Sequence, residues 1–249
     1  MSIKTLSTTK KYSTFNYNTA TATSGYVTTG LVQYFDAYIN QPNSSVWVDI
    51  QGTANLALTG SPTVSNTGAS NNYYITFNGT SQYGASLQNG NLASFSVYMW
   101  FRSSNTSGAQ SFSSPGIMGV ILSGVNRDFT VTMGGGYLGI YSGLAASDSS
   151  SQITENYNSI SDNVWHEIVL TSSTTNGSKV FLDRKQIGTT LSQTVNTAVS
   201  PNLWRLGMTW SQGNYYANYS TPVVMVYNTE LSNTQILTNY NYFKSRRYV

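Results

Sequence analysis

From Gly30 to Tyr227 the sequence keeps one rhythm: short apolar or aromatic runs alternate with Gly, Ser and Asn punctuation. The clearest runs are Leu31–Phe35, Tyr73–Phe77, Phe95–Phe101, Ile117–Leu122, Phe129–Met133, Tyr137–Tyr141, Val164–Thr171, Lys179–Leu182, Leu203–Met208 and Val223–Tyr227. Runs this short send side chains to alternate faces of a strand, and the residues between them carry turn chemistry. Many strands at short spacing, with no helical pattern between them, predict an all-β sandwich of two antiparallel sheets. No sequence repeat underlies the rhythm. A chain of 249 residues buries a sizeable core in one such unit without a disulfide or metal staple.

The two ends break the pattern. Residues 1–30 are Thr-rich and show neither helical nor sustained strand periodicity. Extended, they reach about 100 Å. Two readings stay open for them: a disordered terminus, or an arm that orders on a neighbouring subunit through Lys10, Lys11, Tyr12, Phe15 and Tyr17. The domain division is thus an extended arm over 1–30 and a sandwich over 31–249. Near the C-terminus, "LSNTQILTNYNYF" predicts a helix. Ser232 is a natural N-cap, Gln235 completes a capping box, and Leu231 with Ile236 forms a hydrophobic staple. Ile236, Tyr240 and Phe243 then share one face, which should dock on the sandwich.

Charge narrows the function classes. Charged residues are only 8% of the chain, against about a quarter in ordinary soluble domains. Six of the twelve Lys and Arg residues lie in the tails (Lys4, Lys10, Lys11, Lys244, Arg246 and Arg247), so the formal charge of +3 forms no basic stripe for nucleic acid. The absence of cysteine excludes a disulfide framework, thiol catalysis and Cys-ligated zinc, and permits folding in a reducing cytoplasm. No signal-like segment and no apolar stretch of about 20 residues is present, so no membrane partner is expected. Five N-x-S/T triplets, at Asn43, Asn78, Asn105, Asn176 and Asn218, are chance occurrences in a sequence so rich in these residues.

The single histidine sits in "NVWHEIVLTSSTTNGSKVFLDRKQIG". Alternation puts Val164, His166, Ile168 and Leu170 on one face of the strand, and Trp165, Glu167 and Val169 on the other. His166 and Glu167 therefore diverge and do not act together on one substrate. Asn176-Gly177 is a hairpin signal, and a second tight turn falls at Asp183–Gln186. The segment reads as structure.

That segment resembles the W-H-x-(apolar)-x-x-T hairpin of concanavalin A-like, laminin-G-like jelly-roll domains. In the same order, "GLVQYFDAYIN" with "VWVDIQGTANLALTG" is similar to the opening strand and W-x-D-x-x-G loop of that family. "YITFNGTSQYGA" is similar to its F-D-G-T-x-D-Y turn and "FSVYMWF" to its F-T-(apolar)-x-x-W-F strand. "VVMVYNTELSNTQILTNYNYFKSR" resembles its closing strand and helix. The resemblance covers roughly 30–247. It implies a jelly-roll sandwich with the arm at one end and a short helix at the other.

The family often has acids where this chain has Asn78 and Gln82. No cofactor is expected. Calcium is the one ion to consider, with Asp36, Asp49 and Asp128 the acids best placed; the alternative is that Asp36 and Asp49 cap turns. Glucanases on this fold use clustered carboxylates, and Glu155, Asp162, Glu167 and Asp183 form no such cluster, so no catalytic residue and no enzyme is expected. A G-x-S-x-G elbow and phosphate-binding glycine motifs are also missing.

Two non-enzymatic readings remain. Domains of this type resemble those of structural proteins in tailed phages and large DNA viruses. The low charge, the 19 tyrosines and the arm suit a virion protein of that kind, made in the host cytoplasm. It would be a capsid decoration, minor capsid or tail-associated subunit, contacting other virion proteins and forming a homo-oligomer. The alternative is a lectin-like module for host-surface glycans. Its rim would be "TWSQGNYYANYST", offering Trp210, Gln212, Asn214, Tyr215, Tyr216, Asn218 and Tyr219 for stacking and hydroxyl recognition.

Overall fold

A computed structural model describes residues 25–68, 72–87, 94–105, 115–120, 128–134, 137–143, 152–156, 160–191, 203–208 and 215–247. The first third of the chain contributes β1 (Leu31–Asp36), β2 (Val46–Trp47), β3 (Leu56–Thr59), β4 (Thr63–Asn66), β5 (Tyr73–Asn78) and β6 (Tyr83–Leu87). The middle adds β7 (Ser94–Arg102), β8 (Gly116–Val120), β9 (Asp128–Gly134), β10 (Tyr137–Gly143) and β11 (Gln152–Asn156). Then follow β12 (His166–Ser173), β13 (Gly177–Leu182), β14 (Lys185–Leu191), β15 (Leu203–Leu206), β16 (Asn218–Tyr227) and the helix α1 (Asn233–Arg247).

The strands form two eight-stranded antiparallel sheets. Sheet I runs β14, β13, β12, β7, β16, β5, β4, with β1 also paired to β16. Sheet II runs β11, β10, β9, β8, β15, β6, β3, β2. Between them lies the main core, in which Phe35, Trp47, Phe77, Met99, Phe101, Ile168, Leu170, Trp204 and Leu206 meet. Trp204 Nε1 donates to Gln33 Oε1 (2.8 Å), and Gln33 Nε2 donates to Ser86 Oγ (2.7 Å) and to the Ala54 carbonyl (3.0 Å). This buried amide is fully bonded and ties β1 of sheet I to β6 and β15 of sheet II.

The central strands of sheet I are buried on both faces, which explains why "FSVYMWF" and "VVMVY" are almost continuously apolar. On β7, Phe95, Val97, Met99 and Phe101 face sheet II, whereas Tyr98 and Trp100 face outward beneath α1. The helix seals that outer face with Ile236, Tyr240 and Phe243, and the Trp100 and Tyr240 rings stack 5.4 Å apart. Its start is the predicted capping box: Ser232 N–H donates to Gln235 Oε1 (2.8 Å) and Gln235 N–H to Ser232 Oγ (3.3 Å), with Leu231 and Ile236 both buried.

The sandwich begins earlier than the boundary at residue 31. Val27 N–H donates to Asn239 Oδ1 on the helix (2.8 Å), and the Tyr227 hydroxyl donates to the Val27 carbonyl (3.0 Å). The Tyr26 ring lies 4.9 Å from Tyr34 and 5.2 Å from Tyr242. Tyr26 and Val27 are thus packed on the face that the helix covers. Lys10, Lys11, Tyr12, Phe15 and Tyr17 lie outside the described residues.

Two turns depart in detail from their sequence reading. The loop after β12 has three residues, because Ser173 pairs with Gly177, which takes φ +69°. A Cβ there would meet the Leu191 carbonyl oxygen, so glycine is required. The next turn is a two-residue one in which Asp183 and Arg184 both take positive φ (48° and 70°), the type I′ pattern that suits strand twist.

Candidate functional site

His166 and Glu167 do point to opposite faces. The His166 ring lies against Phe101 (5.8 Å) on the inter-sheet side, while Glu167 is buried on the helix side beside Trp100. His166 Nδ1 is 2.8 Å from Asp183 Oδ2 and its Nε2 is 3.3 Å from Asp162 Oδ1. Burial opposes the charged ring, but the bonds and charges of Asp183 and then Asp162 outweigh it and raise the imidazole above its ordinary pKa. With a carboxylate at each nitrogen, the ring has no free lone pair to offer a substrate. The sequence carries no sign of these two aspartate partners. The I′ turn is what returns Asp183 to His166, and its other oxygen accepts the Glu167 N–H (3.0 Å).

Glu167 is pushed up to about 8 by burial; the Tyr98 hydroxyl offsets part of this, the Asp183 charge adds to it and Arg184 lowers it. Arg184 itself lies 3.9 Å from the Tyr240 ring centroid. This carboxyl lies on the face of β12 that sheet I turns toward α1.

Asp36 and Asp49 are the Asx-type caps that the sequence allowed. Asp49 Oδ1 accepts the Tyr34 and Gln51 amides, and its Oδ2 accepts those of Thr53 and Ala54. Asp36 Oδ1 accepts the Tyr38 amide and its Oδ2 the Tyr34 hydroxyl (2.6 Å). Asp128 opens β9, and its side chain lies outside the described ones. Among the described residues, no group of three or more His, Cys, Asp or Glu is gathered to hold a metal. At the two positions where acids are common in the family, Asn78 Oδ1 accepts the Thr80 and Ser81 amides. Gln82 donates to the Gly60 and Ser61 carbonyls, which a carboxylate cannot do.

The tyrosine-rich rim is only partly an exposed surface. Trp210, Gln212 and Asn214 lie outside the described residues. Tyr215 and Tyr216 are half-buried and Asn218 is exposed. Tyr219 does not belong to the rim: it is 1% exposed, its ring is 5.3 Å from Phe77, and its hydroxyl donates to the Ile117 carbonyl (2.8 Å). Period-2 alternation from the exposed Asn218 turns it inward.

Tyr216 has a partner that no local pattern announces. It bridges to Gly116 and Met208 at the margin of sheet II, where its ring meets that of half-buried Tyr83 (6.4 Å). Tyr83 lies on the outer face of this sheet, because Gly84 and Ser86 point inward. From this aromatic edge the outer face continues over small side chains. Ala57 pairs with Ala85, Ala85 with Arg205, Arg205 with Gly119, and Gly119 with Thr130. Ala57 is exposed and Ala85 half-buried, whereas Gly119 and Thr130 are buried. Arg205 stands where the face passes from open to covered. Arg205 Nε and Thr130 Oγ1 are both buried without a hydrogen-bond partner, a condition that costs about 1–3 kcal/mol per group.

Two antiparallel sheets, one outer face sealed by a helix and the other carrying an aromatic edge beside small side chains, define a jelly-roll sandwich. The family model described as the concanavalin A-like lectin/glucanases superfamily matches residues 77–237, and the chain belongs to that family. No curated protein matches the sequence. Among solved structures, it is similar to the binding domain of botulinum neurotoxin DC in complex with SialylT, with TM-score 0.60, 15% identity, and coverage of 85% of this chain and 52% of that one. The binding domain of botulinum neurotoxin DC in complex with rat synaptotagmin II gives TM-score 0.57 and 17% identity over 85% and 52%. A third, titled for the dependence of botulinum neurotoxin type C entry on two ganglioside molecules, gives 0.57 and 17% over 85% and 51%. The chain spans about half the length of the structures it matches.

Proposed function

We propose that this chain is a non-enzymatic adhesion module that binds saccharide on the outer face of sheet II. The observation that carries this reading is the Tyr83–Tyr216 edge beside a floor of Ala57 and Ala85. Flat rings stack on sugar faces, and small side chains leave room for a ring to lie down. The similar structures named above include domains whose titles speak of SialylT, gangliosides or a protein receptor, which supports a binding role. His166, held at both nitrogens, supports the absence of catalysis.

Tyr216→Ala should reduce binding on a broad glycan array at least tenfold, a loss of about 1.4 kcal/mol, with little change in thermal stability. Silence of the wild type across that array sinks the reading. A second reading, a virion subunit held by protein contacts, is favoured by the 8% charge and 19 tyrosines. It predicts co-purification with intact particles in fixed copy number, lost when residues 1–24 are deleted. The cut belongs there, since Tyr26 and Val27 pack on the sandwich.

A further inference from the structure

We propose that Arg205, with Thr130 beyond Gly119, forms an anion subsite that takes the carboxylate of an acidic saccharide. The proposal rests on the saccharide-binding reading and names the ligand's chemical class.

The register brings the groups together. Arg205 and Thr130 each pair with Gly119, and the inward positions of Leu206, Met118 and Val131 turn all three to the outer face. Two strand spacings, about 10 Å, separate the flanking backbones. Gly119 places no side chain between them. An arginine side chain and one small acceptor bridge that gap.

Among the described residues the Arg205 charge lacks a counterpart. Of the arginines whose side chains are described, Arg102 lies over Tyr74 and Trp165 and Arg184 lies over Tyr240. Arg205 has neither a ring nor a carboxylate among the described residues. Its Nε and the Thr130 hydroxyl, on a residue 2% exposed, are both withdrawn from water and unbonded. Buried donors without partners call for an acceptor, and buried cations call for an anion. A planar carboxylate matches the paired N–H groups of one guanidinium edge.

The spacing fits a sugar. Tyr83 lies two residues along β6 from Ala85, the neighbour of Arg205, a distance of about 7 Å. A carboxylate at Arg205 therefore carries its pyranose ring over Ala85 and toward the Tyr83–Tyr216 edge. The aromatic edge recognises the ring, and the arginine selects the charge.

The test is titration of the full chain with sialylated and uronate-bearing oligosaccharides, each alongside its methyl ester. The acid should bind roughly tenfold or more tightly than the ester, the strength of a charged hydrogen bond. Which of the two acids binds identifies the source of the carboxylate. Arg205→Gln should abolish that preference while ester binding holds and the melting temperature does not fall, and Arg205→Lys should restore it only in part. Thr130→Val should lower acid affinity a few-fold. Equal binding of acid and ester by the wild type overturns the anion subsite and leaves the saccharide face standing. So does an unchanged preference in Arg205→Gln. If no saccharide of either kind binds, both readings fall together.

Discussion

The two sheets have the same number of strands but opposite outer faces. Sheet I turns Tyr34, Tyr98, Trp100, Val223, Met225 and Tyr227 outward and covers them with α1 and Tyr26. Sheet II turns out Ala57, Ala85, Arg205 and Tyr83. Where large apolar rings point out, the chain needs a lid of its own. Where small and polar groups point out, it tolerates solvent or a ligand. The division of labour between closing the fold and contacting a partner thus follows from side-chain size on alternate residues.

The sharpest way to break this contrast is Phe243→Ala. Removal of a fully buried ring from the closed face should cost about 3–5 kcal/mol by urea denaturation, whereas Ala57→Ser on the open face should stay within about 0.5 kcal/mol. Equal losses would dissolve the distinction.

Glu167 gives a pH test of the same seal. Its folded pKa lies at about 8, above the ordinary 4.5, so the folded state holds this proton more tightly than the unfolded chain. The contribution is fully present below about pH 4.5, fades as pH rises and is gone above about 8. A tenfold difference in proton affinity between the two states is worth about 1.4 kcal/mol. Tyr98, Asp183 and Arg184 face this carboxyl, and Tyr240 and Lys244 of α1 lie next to them. His166, on the far side of the strand with Asp162 and Asp183, also loses stabilisation as pH climbs past 6.5. The comparison is therefore wild type against Glu167→Gln. The variant should lack the Glu167 part of the decline, and parallel melting curves from pH 5 to 9 would contradict the assignment.

Gly177→Ala, at the margin of sheet I, should cost about 1–3 kcal/mol from the left-handed backbone and the Leu191 carbonyl. A small effect of opposite sign belongs to the covered part of sheet II. Thr130→Val removes a buried hydroxyl without a partner, so calorimetry should find stability unchanged or raised by about 1 kcal/mol.

Much of the closed face was legible in the sequence. A doubly buried strand reads as a continuous apolar run, and the cap at Ser232 and the stripe Ile236, Tyr240, Phe243 are local signals. The open face was not legible. Of its strands, β3, β6 and β11 were missed, because "YGASL" and "QITEN" lack the large apolar alternation that marks a half-buried strand. The edge strands β2, β4 and β14 were missed for a similar reason: β14, "KQIGTTL", buries only Ile187 and Leu191. The rim was read from local composition, and of its residues Tyr219 belongs to the core. Tyr83, Arg205 and Thr130 come together only through pairings distant in sequence, and no window of residues contains them. Likewise, the distance from Asp183 to His166 depends on a turn of the I′ type without its usual glycine.

Val27 and Asn239 share a hydrogen bond across 212 residues. The polypeptide therefore enters and leaves the sandwich from one side, behind the helix. Tyr83, Tyr216 and Arg205 belong to the opposite sheet and look the other way. Such a layout keeps the first and last described residues on the side of the molecule away from the proposed saccharide face.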